Sequence, residues 1–258
     1  MEPKQLKLSV VIPAFNEEHR IEQSLRTLFA FFKDVDYEYE IIISDDGSTD
    51  ATCDIVKKFT LGWKNLRVLS NPHKGKAPTI ISGINSAVGE FVLMTDVDLS
   101  VDITEFPKLF GYVKNAGYDI AIASREGVGA QRINEPLMRH IMGRVFNLLV
   151  QVMLLPGIQD TQCGFKLFKT TVAQRIFKHT LLYSANDPEI KGGRVSAFDV
   201  EILYVAKKLG YKIKQVPIIW VYADKSKVHN LKDSYYNAKD VFKVRLFSIL
   251  KKYKFKKI

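Results

Sequence analysis

Cysteine is scarce: the 258 residues hold only Cys53 and Cys163. Two thiols cannot build a disulfide framework, so the fold must rest on a packed core, and a reducing compartment is expected. Long apolar runs are missing as well. The greasiest stretch, "VFNLLVQVMLLPGI" (145–158), is interrupted by Asn147, Gln151 and Pro156 and falls short of the roughly 20 residues a membrane-spanning helix needs. No basic-then-apolar leader opens the chain; "MEPKQLKLSVVIPAF" enters a strand at once, so a cytoplasmic protein without a transmembrane segment is expected. Low-complexity tracts and internal repeats are absent, and 47% hydrophobic with 26% charged residues excludes a disordered or fibrous chain.

Acidic residues are the minority charge, 28 against 38 Lys and Arg, for a net +10. Most of the excess lies at one end. From Lys232 onward nine Lys/Arg face two Asp, or +7, leaving +3 for the preceding residues. That tail interleaves lysines with Tyr235, Val241, Phe242, Ile249 and Tyr253 and reads as an amphipathic helix suited to an anionic membrane surface, or to a homodimer contact. The charge is not spread over a folded face and no nucleic-acid motif accompanies it, so no nucleic-acid partner is expected.

What is present is alternation. "KLSVVIPAF" (7–15), "YEIIISDD" (39–46), "LRVLS" (66–70) and "EFVLMTD" (90–96) read as strands. Helices at 17–33, 48–59 and 77–87 separate them, the first with an apolar face at Ile21, Leu25, Leu28 and Phe32. Unbroken Val/Ile/Leu runs mean strands covered on both faces, hence an α/β fold with a mostly parallel central sheet flanked by helices. Further along, "YDIAIASRE" (118–126) predicts a fifth strand, 134–155 a long helix, "GIQDTQCGFKLFK" (157–169) a turn, 197–210 a helix and 212–222 a strand.

Ligands of such sheets bind at the carboxyl ends of the strands. The polar clusters sit there: "PAFNEE", "SDDGSTD", "NPHKGK" and "TDVDLS". In the last, Asp96 and Asp98 stand one residue apart after an apolar run. Their repulsion is tolerable if a divalent cation, Mg²⁺ or Mn²⁺, neutralises them and a substrate diphosphate completes its ligands.

"VIPAFNEE", "SDDGSTDAT" and "TDVD", in that order, resemble the nucleotide-sugar-binding half of the family 2 glycosyltransferases. The resemblance implies a GT-A fold, inversion at the anomeric carbon and a divalent metal on Asp98, with Asp96 sharing it or lying nearer the ribose. It places Asp45 at the nucleobase edge, Pro13, Phe15 and Glu17 around base and ribose, and Lys74 and Lys76 beside the nucleotide, while Asn16 holds the turn. "DTQCGFKLF", with "ASRE", "RxxxGRxFNLLV" and "AFDVEILYVA", resembles the polyprenyl-phosphate hexosyltransferases, in particular the dolichyl-phosphate β-glucosyltransferase branch. The reaction implied is transfer of glucose from UDP-glucose to dolichyl (polyprenyl) phosphate. GDP-mannose as donor, or a sugar hydroxyl as acceptor, are the alternatives.

A lipid monophosphate is already an anionic nucleophile; what the reaction needs is cations that hold two phosphorylated molecules together. Arg125, Arg132, Arg139 and Lys227 are the candidates for the acceptor phosphate, with Arg125 also counted as catalytic. By resemblance Asp160 and Gln162 face the donor sugar, and Asp199 is either a general base or a group that orients sugar or arginine. Cys163 reads as packing, and Lys225 with Lys227 as a late basic motif that could close over the diphosphate. The expected division is a catalytic domain over 1–225, nucleotide-binding to 100 and acceptor-binding from 101, then a basic tail over 226–258. Members of the eukaryotic glucosyl branch carry a membrane anchor that this sequence is not expected to have, so peripheral attachment to the cytosolic membrane face is expected instead.

Overall fold

A computed structural model describes residues 6–184, 187–190, 196–222 and 230–255. The first four strands are β1 (Leu6–Ala14), β2 (Glu38–Asp45), β3 (Leu66–Ser70) and β4 (Phe91–Met94), connected by α1 (Ile21–Phe32), α2 (Thr52–Thr60) and α3 (Lys76–Ser86). Side chains alternate across a strand, and here both faces are buried. Leu8, Val10 and Ile12 of β1 enter one apolar cluster while Val11 enters the other. Ile41 and Ile43 against Ile42, and Phe91 and Leu93 against Val92 and Met94, divide in the same way. Each such side chain contributes roughly 1.5–3 kcal/mol on burial, so this sheet lies between two cores.

Helix α1 begins at Ile21 rather than at residue 17, because the Glu17 carbonyl instead accepts from Arg20 and Ile21 in a turn. Helix α2 starts at Thr52; Ser48 is engaged by the Asn16 amide, and the Asp50 carboxylate accepts from the Thr52 amide and hydroxyl.

Beyond β4 come α4 (Phe106–Asn115), β5 (Ile120–Ser124), β6 (Gln131–Ile133), α5 (Leu137–Met153), β7 (Lys166–Lys169), α6 (Thr170–Phe177), α7 (Phe198–Lys208), β8 (Ile213–Pro217), β9 (Ile219–Val221) and α8 (Asn230–Ile249). The large sheet has the order β3-β2-β1-β4-β7-β5-β8. All neighbours are parallel except β7, which runs antiparallel to both β4 and β5.

The second half departs from the sequence expectation twice. The stretch expected to be a turn over 157–169 ends in strand β7. The single strand expected over 212–222 divides at Pro217: β8 pairs with β5, and β9 leaves the sheet to pair with β6. The tail does form a helix, and it is joined to the body. Val241, Val244 and Tyr253 are buried in the core, with α8 packed on α5 and α7. No helix among the described residues is long and apolar enough to cross a membrane.

Candidate active site

Strand ends β1, β4 and β5 and the loops after them open into one cleft of about 1480 Å³. Among its walls are Pro13, Phe15, Glu17, Asp46, Lys76, Asp96, Asp98, Arg125, Arg132, Arg139, Asp160, Gln162 and Asp199. Asp45 and Lys74 are not part of the lining: Asp45 is buried behind it, and Lys74 contributes its backbone amide to Asp46.

On the β1–β2 side, carboxylates are held by backbone amides. Asp45 Oδ2 accepts from the Gly47 and Ser48 amides at 3.0 Å and closes the tight turn, while its buried Oδ1 has no hydrogen-bond partner. Asp46 accepts from the Lys74 amide at 2.9 Å, the Gly75 amide at 3.0 Å and the Thr79 hydroxyl at 2.8 Å. It thereby pins the loop that enters α3, where Gly75 adopts a positive φ of 95°. His73 Nδ1 lies 2.9 Å from Asp46 Oδ2, and the His73 ring stacks on Phe15 with centroids 4.0 Å apart and 6° between planes. The Glu17 carboxylate is 2.8 Å from Arg20. Asn16 holds the turn, accepting from the Thr49 amide at 2.9 Å with its backbone at a φ of 52°.

At the end of β4, Asp98 is exposed and accepts from the Ser100 amide at 3.0 Å. Asp96 Oδ1 lies 2.6 Å from Lys76 Nζ. Burial opposes the Asp96 charge, but Lys76, with Lys166 and Arg125 behind it, outweighs burial and lowers its pKa. The turn that carries the pair is tight, with Leu99 at a φ of 46°. Gly164 packs directly on Asp96: a Cβ there would lie 2.2 Å from Asp96 Oδ2, so any larger residue would have to push the Asp96 carboxylate aside. The donor set suits a hard divalent cation that keeps open positions for phosphate oxygens. It supplies two carboxylates on one turn, and no group of three or more His, Cys, Asp or Glu suited to a metal occurs among the described residues.

On the β5 side, carboxylates are held by cations. Arg125 donates from Nε and Nη2 to the two Asp160 oxygens at 2.7 and 2.9 Å, and its guanidinium lies 5.3 Å over Trp220. Asp160 also accepts from the Arg125 and Gln162 amides. Burial alone would raise the Asp160 carboxyl; the Arg125 charge and hydrogen bonds outweigh it and bring it down to about 2. Asp160, expected to face the donor sugar, has both of its oxygens engaged by Arg125 and the two amides. Arg132 is similarly engaged by Glu126 and Glu135, each at 2.6 Å. Arg139 lies 5.0 Å over the Tyr222 ring. Lys225 and Lys227 lie outside the described residues.

Lys166 completes this side. It is fully buried and donates to the Asp199 carboxylate and to the Cys163 carbonyl. Cys163 is packed as expected, its thiol pushed up to about 11 by burial and by neighbouring Asp160. Lys166, Gly164 and His73 are the residues that sequence reasoning missed. For Lys166 a signal existed: a lysine between Phe165 and Leu167 in a strand covered on both faces requires a buried acid.

With this geometry in place, comparison with known proteins is specific. The model for glycosyl transferase family 2 matches residues 9–177. The chain is 33% identical over 262 residues to "Dolichyl-phosphate beta-glucosyltransferase" of Dictyostelium discoideum, covering 96% of this chain and 77% of that one. For the proteins of the same name from Saccharomyces cerevisiae and Homo sapiens identity is 30%, over 96% and 93% of this chain and 76% and 75% of theirs. Among solved structures, glucosyl-3-phosphoglycerate synthase from Mycobacterium tuberculosis aligns with a TM-score of 0.64 at 20% identity, covering 93% of this chain and 79% of that one. Mannosyl-3-phosphoglycerate synthase from Rubrobacter xylanophilus aligns at 0.67 and 16%, covering 98% and 77%. The fold shared with these structures is the GT-A fold expected above.

Proposed function

Because the chain belongs to glycosyl transferase family 2 and is a glycosyltransferase, we propose that it transfers glucose from UDP-glucose to a polyprenyl phosphate such as dolichyl phosphate, with inversion at the anomeric carbon. The observation that carries this reading is one cleft with two unlike ends, the aspartate pair at β4 and the arginine cluster beyond β5. Identity of 33% over nearly the whole chain with a dolichyl-phosphate β-glucosyltransferase supports the choice of donor and acceptor.

In this reading the base lies against the Phe15–His73 stack and the turns held by Asp45 and Asp46. Asp98 and Asp96 would hold Mg²⁺ or Mn²⁺, which would supply Lewis-acid stabilisation of the departing diphosphate. Lys76 keeps Asp96 ionised and adds positive charge where the leaving group develops its own. Arg125, fixed by Asp160 and Trp220, presents its remaining N–H groups to the acceptor phosphate, and Arg139 adds charge beside it. An acceptor oxygen forms the new bond to the anomeric carbon as the bond to the UDP oxygen breaks. That nucleophile is already ionised, so no proton has to be removed. Asp199, engaged by Lys166, then acts as a positioning group rather than a base. Attachment is peripheral, at the cytosolic membrane face.

Transfer to a short-chain, water-soluble prenyl phosphate tests this, comparing UDP-glucose with GDP-mannose in the presence of Mn²⁺. UDP-glucose should be preferred, and Asp98→Ala should lower kcat at least about a hundredfold with an unchanged melting temperature. Faster turnover of GDP-mannose, or full activity of Asp98→Ala, would overturn the assignment. Loss of all activity in Asp199→Asn would instead favour a hydroxyl acceptor.

A further inference from the structure

At the arginine end of the cleft, two cations are held in different ways. Arg125 is gripped along a single edge, with Nε and Nη2 on Asp160. Arg132, on β6, is engaged at all three of its nitrogens. Nε donates to the Arg125 carbonyl at 3.1 Å, Nη1 to Glu135 and Nη2 to Glu126, both at 2.6 Å. Arg132 and Glu135 both line the cleft. The two terminal nitrogens are those with which a guanidinium grips a phosphate in bidentate fashion. A phosphate placed there would stand beside two carboxylates, and like charges that close repel.

Each glutamate has a second, longer contact, and both lead to α5. Glu135 Oε2, 2.6 Å from Arg132, lies 3.1 Å from His140 Nδ1. Glu126 Oε1, 2.6 Å from Arg132, lies 3.3 Å from Arg144 Nη1. His140 and Arg144 are one helical turn apart on α5. The acids, one before β6 and one after it, therefore stand between Arg132 and the helix. The Glu135 side chain is only 6% exposed, so its charge needs a partner whichever way it turns.

We propose that Glu126 and Glu135 are stand-ins for the acceptor's phosphate. They occupy Arg132 before the acceptor binds, and pass to Arg144 and His140 when a phosphate monoester takes their place. This exchange rests on the reading of the arginine end as the acceptor site. A phosphate dianion brings about as much charge as the two carboxylates it displaces, and each of these already has its next partner within 3.3 Å. Permanent braces that aim Arg132 would behave oppositely. Neutralising a brace weakens phosphate binding, whereas neutralising a stand-in strengthens it.

Binding of geranyl phosphate to the full chain, measured by titration calorimetry without donor, decides between the two. Glu135→Gln keeps the shape of the side chain and removes the competing charge, so affinity should rise at least about fivefold. Glu126→Gln should act in the same direction, and melting temperature identifies a variant that fails to fold. His140 stands outside the cleft lining, yet His140→Ala should weaken binding severalfold by removing the second seat of Glu135. In the Glu135→Gln background the same substitution should have no effect. Weaker or unchanged binding by the glutamine variants overturns the proposal, as does a His140→Ala effect that persists in full beside Glu135→Gln. Glucose transfer from UDP-glucose to geranyl phosphate, followed separately, keeps the readings apart. Tighter binding without transfer sinks the proposed reaction and leaves the exchange standing, while transfer without tighter binding does the reverse.

Discussion

The two sides of the cleft neutralise their carboxylates by different means. Around β1 and β2, Asp45 and Asp46 accept mainly from backbone amides and hydroxyls, the charge being met by the partial charges of a turn. Beyond β5, Asp160, Asp199 and the pair Glu126 and Glu135 are met by whole cations, Arg125, Lys166 and Arg132. The first arrangement shapes a wall, since the carboxylate determines where the chain runs. The second stores charge, since each acid keeps a cation in place beside the cleft. Asp96 with Lys76 stands at the border, between an exposed partner aspartate and a lysine from α3.

On this difference, removing one member of a charge pair should cost more than removing a turn carboxylate. Lys166→Met leaves Asp199 without its buried cation and should destabilise the fold by about 3–5 kcal/mol, measured by urea denaturation. Adding Asp199→Asn to it should recover part of that loss. Asp46→Ala frees several amide donors around a loop that water can reach, and about 2–3 kcal/mol is expected, with KM for the nucleotide sugar raised more than kcat is lowered. Equal costs for the two would break the comparison.

Glu201 sharpens it, because it is an acid of the second half treated in the manner of the first. It is fully buried, accepts from the Leu181 and Leu182 amides and from the Tyr253 hydroxyl, and pairs with no cation among the described residues. Burial raises it from about 4.5 to about 7 despite those hydrogen bonds, whereas Asp160 with its arginine falls to about 2. The folded state therefore holds a proton that the unfolded chain releases between these values. Glu201 contributes stability that is fully present below about pH 4.5 and is lost as pH rises toward 7. Glu201→Gln should remove that part of the slope of melting temperature against pH.

The same contrast explains what was legible in the sequence. Strands β1 to β4 announce themselves because residues such as Val10, Val11 and Ile12 must be apolar on successive, opposite faces. The polar clusters at their ends then have only one crevice to share. Turn carboxylates act within a few residues, so Asp45 closing over Gly47 and Ser48 follows from local chemistry. Charge pairs act at long range: Arg125 finds Asp160 at 35 residues' separation and Lys166 finds Asp199 at 33. Residue type tells that such groups need partners but not which, so the pairing of Asp160 with Arg125 is not legible in the sequence. Strand β7 is hidden in the sequence because lysines at both of its ends disguise a central strand.

That strand has a consequence for how the molecule is made. β7 is inserted between β4 and β5 and bonds to both, yet it leaves the ribosome after either of them. Until Lys166–Lys169 emerges, the nascent sheet β3-β2-β1-β4 presents an open edge at β4 and β5 has no strand beside it, the kind of surface on which chains pair wrongly. The strand that closes this seam also brings Gly164 against Asp96 and Lys166 against Asp199. Sealing the sheet and completing the floor of the cleft thus both wait for the later part of the chain.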